Sequence, residues 1–429
     1  MINGKIVYVD IFDQKGIYCY FIQAIAAFIS DSSFIGIYLF EVIFFTVFLY
    51  YTMQLWKLIH ERVSYIYLMV FAFLIVISFA FYRGGSVEEF ALPLFAYALY
   101  KIISYVEGEE DKALWFKMGA VTAILFWIKF TMCIFMIGIC VYILIYCMSE
   151  KKTGEVVVIA FKWLIGMIIA SLPAFAYFLL TGSMDEMFKL YIYENIFTYS
   201  GSRASLIKII IFLLTKFNYV IIFTGIVAIA KKCFPKKYGK LLLCILLAAM
   251  CYVLFLTYTA VYIVLMMVPV YSMLFLGIIG LCDSKVSKKN EKQNIFVPLG
   301  VFAVLIIGVF VCSANTKQIK KGRDDYIYYR YADIINKNKD ATLLVYRYYD
   351  EGFYVATKKI PNMKYFTKYN IKLPEIDKEQ KDCIDNAKVD YIITVKSKPK
   401  ELEENYVCIK EDTYTNHFDK SVYYLWKKK

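Results

Sequence analysis

Residues 131–181 read "TMCIFMIGICVYILIYCMSEKKTGEVVVIAFKWLIGMIIASLPAFAYFLLT". Two apolar runs, 131–149 and 156–181, flank a short polar link that contains Lys151 and Lys152. Each run matches the roughly 20 apolar residues that an α-helix needs to cross the hydrocarbon core of a bilayer. The stretch therefore predicts two membrane-spanning helices joined by a short basic loop.

The same alternation continues through most of the chain. Of its 429 residues, 60% are hydrophobic and the mean hydropathy is +0.55, whereas soluble domains are about 45–50% apolar. Nearly all of the excess lies in residues 17–313, which predicts an α-helical polytopic membrane protein with a polar tail. The predicted spans are 34–59, 66–82, 91–106, 113–129, 131–149, 156–181, 205–230, 239–257, 260–281 and 295–313.

The net charge is +13, and lysines cluster in short loops between the spans. Lysines cluster at 231–240 and 283–292 as well as at 151–152. By the positive-inside rule these loops are cytoplasmic and the alternate loops lie outside, so that ten spans leave residues 314–429 outside. The positive charge then serves orientation and contact with membrane lipids, and nucleic acid is not an expected partner.

Residues 17–30, "IYCYFIQAIAAFIS", form an apolar run that is short for a span. As a helix the run is about 21 Å long, against a hydrocarbon core of about 30 Å. If it lies flat in the membrane interface, residues 1–16 form an outer loop; if it crosses, they are cytoplasmic. Hydropathy favours the flat arrangement, and a chain that starts outside leads us to expect that a preceding span is missing.

The tail alternates short strand and helix patterns. This alternation predicts a small α/β domain without a glycine-rich phosphate loop. Cys383 and Cys408 could form a disulfide outside the cell, although their spacing does not demand one. Helices are predicted at 324–338 and 375–388, and strands at 341–349, 389–395 and 421–428.

Charged side chains within or against spans are costly and mark functional candidates. Residues 82–93, "YRGGSVEEFALP", place Arg83, Glu88 and Glu89 on the outer side. The simpler alternative is a solvated loop whose carboxylates favour the positive end of a helix dipole. Pro93 would suit the first turn of the following helix.

Two lysines stand in apolar sequence. Lys129, in "LFWIKFTMC", lies at the outer turn between two spans, where it either contacts a phosphate or extends to the interface. Lys216 is mid-span and could face a polar cavity or pair with Glu41. Both lysines therefore require a partner or a route to water.

The outer loop 182–204 has the apolar spacing of an amphipathic helix that lies on the membrane. The alternative is a plain interfacial helix without a binding role. Its candidate substrate-binding residues are Tyr193, Glu194, Asn195 and Arg203.

The segment "VDIFDQKG", residues 9–16, adds Asp10, Asp13 and Lys15 on the same expected membrane face. Carboxylates and cations at a lipid surface suit sugar transfer from a lipid-phosphate donor. A carboxylate can deprotonate the acceptor hydroxyl, and cations can stabilise the departing phosphate. This chemistry requires no cofactor; a divalent metal is optional, and with two histidines in the chain a histidine-based metal site is not expected.

"VDIFDQKG" and the aromatic stretch after it resemble the first outer loop of the GT-C superfamily of polytopic glycosyltransferases. The pattern is most similar to that of bacterial members with "RD-x-FD-x-KGP-L-x-YF", which use lipid-linked sugar donors. Two departures are Val9 in place of the arginine and Ile17 in place of the proline. Further segments that resemble the family are "GGSVEEFALPLF" (84–95), "LFWIKFT" (125–131), "DEGFYVATKKIPNMKYFTKYNI" (350–371) and "KVDYIITV" (388–395).

The resemblance implies a catalytic aspartate in the first outer loop. It maps to Asp10 or Asp13, and we expect Asp10 to be the base and Asp13 to orient it or bind substrate. It also implies a juxtamembrane helix at 17–30. Lys15, Lys129 and Arg83 are the expected contacts to the donor phosphate, whereas Glu88 and Glu89 are expected to bind sugar or acceptor hydroxyls.

The expected fold is therefore a GT-C-like transmembrane domain, residues 1–313, followed by an extracytoplasmic α/β domain, residues 314–429. The expected function is inverting transfer of a hexose or pentose from a polyprenyl-phosphate sugar to a glycan, lipid or protein acceptor outside the bacterial plasma membrane. A transporter or flippase would need inverted repeats and broken midplane helices. A polymerase of lipid-linked glycans is a further alternative, with similar chemistry.

Overall fold

The computed structural model describes residues 1–60, 63–81, 84–198, 205, 207–208, 211, 218–256, 261–283, 296–415 and 420–429. The first half contains the helices Ile17–Ile29, Ile35–Ile59, Tyr65–Val76, Val87–Val106, Leu114–Ile128, Cys133–Ser149 and Glu155–Leu180. A short helix, Met184–Glu186, continues as a π-helix, Met187–Thr198. Later helices are Tyr219–Ala230, Gly239–Leu256, Val268–Asp283, Phe296–Cys312, Ile327–Ile335, Phe353–Thr357 and Pro374–Asp385.

Six helical segments in the described part of the chain are long and apolar enough to cross a membrane. The two predicted from residues 131–181 are among them, at Phe130–Ser149 and Glu155–Leu180. The protein is thus a multi-pass membrane protein. The other four long segments are Ile35–Ile59, Val87–Val106, Lys236–Leu254 and Tyr262–Cys282.

The remaining four predicted spans overlap shorter apolar helices of 10–17 residues within the described part of the chain. The spans predicted at 113–129 and 295–313 agree with Leu114–Ile128 and Phe296–Cys312 to one residue at each end, whereas much of the first part of 205–230 lies outside the described residues. The span predicted at 66–82 ends as an α-helix at Val76, and a 3₁₀ turn, Phe79–Phe81, follows. The span predicted at 260–281 begins as a 3₁₀-helix, Val261–Met267. Apolar composition alone does not distinguish these helix types, which is why the sequence suggested continuous spans.

Polar caps fix where several apolar helices begin. The Ser64 hydroxyl accepts a hydrogen bond from Ile66 N–H, and the Asn218 side chain accepts one from Ile221 N–H. Ser86 accepts from Glu89 N–H and so begins the helix Val87–Val106. Such caps satisfy backbone donors that would otherwise be unpaired at a helix start.

The chain divides into two compact units. The first unit comprises Met1–Ile37, Phe175–Gly201 and Lys320–Lys429, and the second comprises Tyr38–Ala174 and Ser202–Ile319.

Within the second unit, two helices approach each other through small residues. A Cβ atom on Gly119 would lie 1.9 Å from the carbonyl oxygen of Trp163, and one on Gly166 would lie 2.1 Å from that of Phe116. Close packing over small residues is a common means of helix association in membranes. Glycine at these two positions therefore fixes the distance between Leu114–Ile128 and Glu155–Leu180.

Within the first unit, the tail forms a four-stranded sheet in the order β1-β2-β4-β3. β1 (Leu343–Val345) is parallel to β2 (Tyr391–Val395), whereas β4 (Lys420–Lys428) is antiparallel to both β2 and β3 (Tyr406–Thr415). The residues of β2 are all buried because both faces of the strand are covered. One face packs against the helix Ile327–Ile335 and the other against Pro374–Asp385.

The predicted α/β character of the tail is confirmed. The strand expected at 341–349 is much shorter, and β3 was missed because its alternating exposed and buried residues include many charges. Cys383 and Cys408 are both free, so the disulfide considered from the sequence is not present.

Asp350 is a partly buried carboxylate that begins the short helix Phe353–Thr357. It accepts backbone hydrogen bonds from Gly352 N–H at 3.2 Å and Phe353 N–H at 2.8 Å. Burial raises the pKa of Asp350 to about 6, although these hydrogen bonds oppose the shift. The native state therefore binds this proton more tightly than the unfolded chain does.

The raised pKa of Asp350 predicts a pH-dependent stability of the tail. Because the folded-state pKa of about 6 exceeds the ordinary value, the stabilisation by the protonated carboxyl is complete below about pH 4 and is lost as the pH rises through about 6. The loss amounts to about 3 kcal/mol, since one pKa unit corresponds to about 1.4 kcal/mol. Hydrogen exchange of the β2 amides measures the stability of the tail in the full-length protein. The protein and its Asp350→Asn variant are compared at each pH. The exposed Asp324→Asn serves as control, and an unchanged pH dependence in Asp350→Asn would contradict the assignment.

Candidate active site

In the first unit, Tyr8 anchors the N-terminal loop, defined here as residues 4–16. Its ring stacks on Phe178 and Tyr191, with centroids 5.8 and 6.0 Å away, and is fully buried. Its φ of 68° lies in the left-handed region, which is rare for a large side chain. The Tyr8 hydroxyl donates to the carbonyl oxygen of Lys15 at 2.6 Å, so this one residue ties both ends of the charged segment together.

The loop holds its three charged candidates in different ways. Ile6 N–H donates to Asp10 Oδ2 at 2.8 Å. Gln14 N–H donates to Asp13 Oδ1 at 2.6 Å, and Lys15 Nζ pairs with Asp13 Oδ2 at 2.7 Å. Asp13 is thus neutralised by Lys15, whereas Asp10 forms no ion pair with any described residue.

Asn195 supports the loop from the π-helix Met187–Thr198. It is 4% exposed, and its Nδ2 donates to the carbonyl oxygens of Gln14 at 3.2 Å and Tyr191 at 3.0 Å. A helix is present within the predicted range 182–204, but over Met187–Thr198 it is a π-helix, a helix type that the apolar spacing did not indicate. Tyr193 is exposed and Glu194 is partly exposed, while Arg203 lies outside the described residues.

Replacing Tyr8 with phenylalanine tests this anchoring. Burial raises the pKa of Tyr8 well above its ordinary value, so the hydroxyl remains protonated and donates. Loss of the bond to Lys15 is expected to lower the free energy of unfolding by about 1–2 kcal/mol. Thermal unfolding of the purified protein measures the change, with the exposed Tyr193→Phe as the matched control. Equal melting temperatures for both variants would argue against the anchor.

In the second unit, Glu88 and Lys129 form a buried ion pair. Lys129 Nζ lies 3.0 Å from Glu88 Oε1, and the Tyr252 hydroxyl donates to the same oxygen at 2.6 Å. The Glu88 side chain is 1% exposed and that of Lys129 is 17% exposed. The ammonium also lies over the rings of Tyr252 and Tyr262, 5.6 and 6.0 Å from their centroids. Glu88 Oε2 is buried and has no hydrogen-bond partner among the described residues.

Glu89 belongs to a second acidic cluster of this unit, with Glu41. Their carboxyl groups lie close to each other in this cluster. Gly85 N–H also donates to Glu41, and the Ser86 hydroxyl donates to Glu89 Oε1 at 3.1 Å. Gly84 and Gly85 have φ values of +65° and +66°, which permit the tight turn that brings this backbone to Glu41.

Two expectations about this turn are wrong. The alternative of a solvated loop fails because Glu88 and Glu89 are 1% and 5% exposed. The helix begins at Val87 rather than near residue 91, so Pro93 lies inside it and not in its first turn. Arg83 and Lys216 lie outside the described residues, and the pairing considered for Lys216 with Glu41 is therefore not addressed.

Sequence reasoning found the charges of this cluster but not their partners. Glu88 and Lys129 were expected in separate roles, and neither Tyr252 nor Tyr8 was singled out as a supporting residue. A charge in apolar sequence signals a need for a partner, yet nothing in the spacing of Glu88 and Lys129 predicts that they satisfy each other.

Comparison with known proteins establishes the fold. The crystal structure of ArnT from Cupriavidus metallidurans bound to undecaprenyl phosphate matches with a TM-score of 0.65 and 8% identity, over 97% of this chain and 89% of that chain. The apo structure of the same ArnT matches with a TM-score of 0.64 and 9% identity, over 97% and 88%. No protein-family model and no curated protein sequence matches the chain. The chain thus has the polytopic membrane fold of these ArnT structures, which agrees with the fold that the resemblance of its motifs implied.

Proposed function

We propose that this protein is an integral membrane glycosyltransferase. It moves a sugar from a polyprenyl-phosphate donor to a glycan, lipid or protein acceptor outside the bacterial plasma membrane. The observation that carries the proposal is the match over 97% of the chain to ArnT, which has been crystallised with undecaprenyl phosphate. Fold alone does not determine an activity. The proposal is therefore supported also by the carboxylates and lysines of the two units.

Asp10 is the proposed base. Its Oδ2 is held by Ile6 N–H, which leaves Oδ1 to accept a proton from the acceptor hydroxyl. As that hydroxyl oxygen bonds to the anomeric carbon, the bond from this carbon to the phosphate oxygen breaks. The proton goes to Asp10 and the electron pair leaves with the polyprenyl phosphate, which inverts the anomeric centre.

Lys15 and Lys129 are the proposed contacts to the donor phosphate, with Arg83 as a third. Asp13 orients the Lys15 ammonium at 2.7 Å, and Glu88 holds Lys129 at 3.0 Å. A positioned cation stabilises the charge that develops on a leaving phosphate. Because each lysine already has a carboxylate partner, each reaches a phosphate by sharing its remaining N–H donors.

Glu88 and Glu89 are the proposed contacts to sugar hydroxyls. The unpartnered, buried Oε2 of Glu88 supports this role, since a buried acceptor without a donor is costly unless a ligand satisfies it. Exposed Tyr193, together with Glu194 and Arg203, is proposed to bind substrate. Asn195 is proposed to act indirectly, by holding the carbonyl of Gln14. The reaction needs no cofactor, and a divalent metal is optional.

Release of polyprenyl phosphate from a radiolabelled polyprenyl-phosphate sugar tests the proposal, with full-length protein in lipid vesicles and an envelope-glycan extract as acceptor. We expect sugar in the glycan fraction and an equal amount of polyprenyl phosphate. Movement of intact donor across the bilayer without bond cleavage would instead identify a flippase. Repeated addition of lipid-linked units would identify a polymerase, and either result would overturn the proposal.

A further inference from the structure

A polar cavity of about 360 Å³ lies within the first unit, between the N-terminal loop and the tail. Its volume is within the range of about 300–1,000 Å³ typical of small-molecule sites. We call it the tail cavity. It is lined by Lys5, Val9, Asp10, Asn362, Met363, Lys364, Glu379, Asp382, Cys383 and Lys388.

The formal charges of the side chains that line the tail cavity sum to zero. Three lysines face three carboxylates, and of these Lys388 and Asp382 already pair with each other. An ionic ligand therefore gains no net attraction. A sugar hydroxyl both donates and accepts hydrogen bonds, so adjacent hydroxyls can use ammonium and carboxylate groups together. Among the described residues, the lining contains no aromatic side chain, which disfavours a ligand that stacks, such as a nucleobase.

Lys364 is a partly buried cation of this lining, and its ammonium lies over the ring of Tyr365, 5.7 Å from the centroid. Burial lowers its pKa, although the nearby carboxylates of Glu186 and Glu379 oppose the shift. Its ammonium forms no ion pair with any described residue, because Glu379 Oε1 instead accepts from the backbone N–H of Lys364 at 2.9 Å. A partly buried cation of this kind gains from hydrogen bonds to a bound ligand.

Asp10 connects the tail cavity to the proposed reaction. It is part of the lining, and its Oδ2 is fixed by Ile6 N–H. A hydroxyl of a sugar in the cavity can therefore reach the carboxylate that is proposed to deprotonate it. A general base acts only on a hydroxyl that is held within its reach, and the polar cavity beside Asp10 can position the hydroxyl groups of an acceptor.

We propose that the tail cavity binds an uncharged sugar ring of the acceptor and presents its hydroxyl to Asp10. This inference rests on the proposed transferase function and specifies its acceptor as a neutral saccharide. It gives the tail domain, and Lys364 in particular, a direct role in acceptor recognition.

Saturation-transfer NMR with the full-length protein in detergent tests the inference, with the methyl glycosides of glucose, galactose, mannose and N-acetylglucosamine as probes and methyl glucuronide as the acidic comparison. We expect at least one neutral glycoside to bind, and Lys364→Met to weaken it about tenfold. Lys398→Met is the matched control, because Lys398 pairs with Glu411 away from the cavity. Lys5→Met provides a second test if Lys364→Met does not fold.

Three outcomes would each overturn the inference. They are no binding of any neutral glycoside, a preference for methyl glucuronide, and an unchanged affinity in the folded lysine variants. The assay contains no lipid donor, so its outcome is separate from that of the transfer assay. Transfer without sugar binding would reject the cavity and retain the enzyme. Lysine-dependent binding without transfer would reject the enzyme and leave a sugar-binding site.

Discussion

Asp10→Asn is expected to lower the rate of sugar transfer by about 10²–10⁴-fold, the range for loss of a general base. The amide oxygen of asparagine can still accept the hydrogen bond from Ile6 N–H that Asp10 accepts at 2.8 Å. Folding should therefore be preserved while the proposed proton acceptor is removed. Initial rates of polyprenyl phosphate release, with acceptor present in excess, measure the effect.

Asp13→Asn is the matched control for this prediction. Asp13 pairs with Lys15 at 2.7 Å, so its replacement disturbs an orienting contact and is expected to cost less than loss of the base. A larger loss for Asp13→Asn than for Asp10→Asn would exchange the two roles. If both variants transferred sugar at the original rate, neither aspartate would be the base.

Lys129→Met is expected to destabilise the protein by about 3–5 kcal/mol, because it leaves the Glu88 carboxylate buried without its cation. The Tyr252 hydroxyl would remain as its donor at 2.6 Å, but a single hydroxyl does not neutralise the charge. The free energy of unfolding in detergent, from denaturant titration of the purified protein, measures the loss. The double variant Lys129→Met, Glu88→Gln should recover much of it.

Lys237→Met is the control for the buried pair. Lys237 lies 3.2 Å from Glu107, but their side chains are 50% and 33% exposed, so its loss should cost about 0–1 kcal/mol. Equal effects of Lys129→Met and Lys237→Met would show that Glu88 does not depend on Lys129. If the double variant were less stable than Lys129→Met, the unpaired Glu88 carboxylate could not be the cause of the destabilisation.

The membrane architecture was largely predictable because long apolar runs have few alternatives to helices. The runs on either side of Lys151 and Lys152 became Phe130–Ser149 and Glu155–Leu180, with charged residues at their boundary. Composition did not fix where a helix changes type. Met187–Thr198 has the apolar content expected for an amphipathic helix, yet it is π-helical, because its geometry depends on packing that no local pattern encodes.

The candidate site was predictable as a set of residues but not as an arrangement. Asp10 and Glu88 were predicted as functional candidates because carboxylates next to apolar sequence are energetically costly. Their neighbours come from distant parts of the chain, such as Tyr252 for Glu88 and Lys364 for the cavity that Asp10 lines. Tyr8 gave no signal in the sequence, since its importance lies in a left-handed backbone and two stacked rings.

The first unit is built from three segments that are far apart in the sequence, and this has a consequence for biosynthesis. Phe12 contacts Tyr365 and Tyr369, with ring centroids 5.5 and 5.0 Å away, and these residues are translated long after it. At about 5–20 residues per second, the ribosome takes tens of seconds to deliver those partners. The aspartates of the N-terminal loop therefore cannot take their final positions until translation is nearly complete. A nascent chain that stalls before Lys320 would carry the apolar helices but lack the contacts that position the proposed proton acceptor.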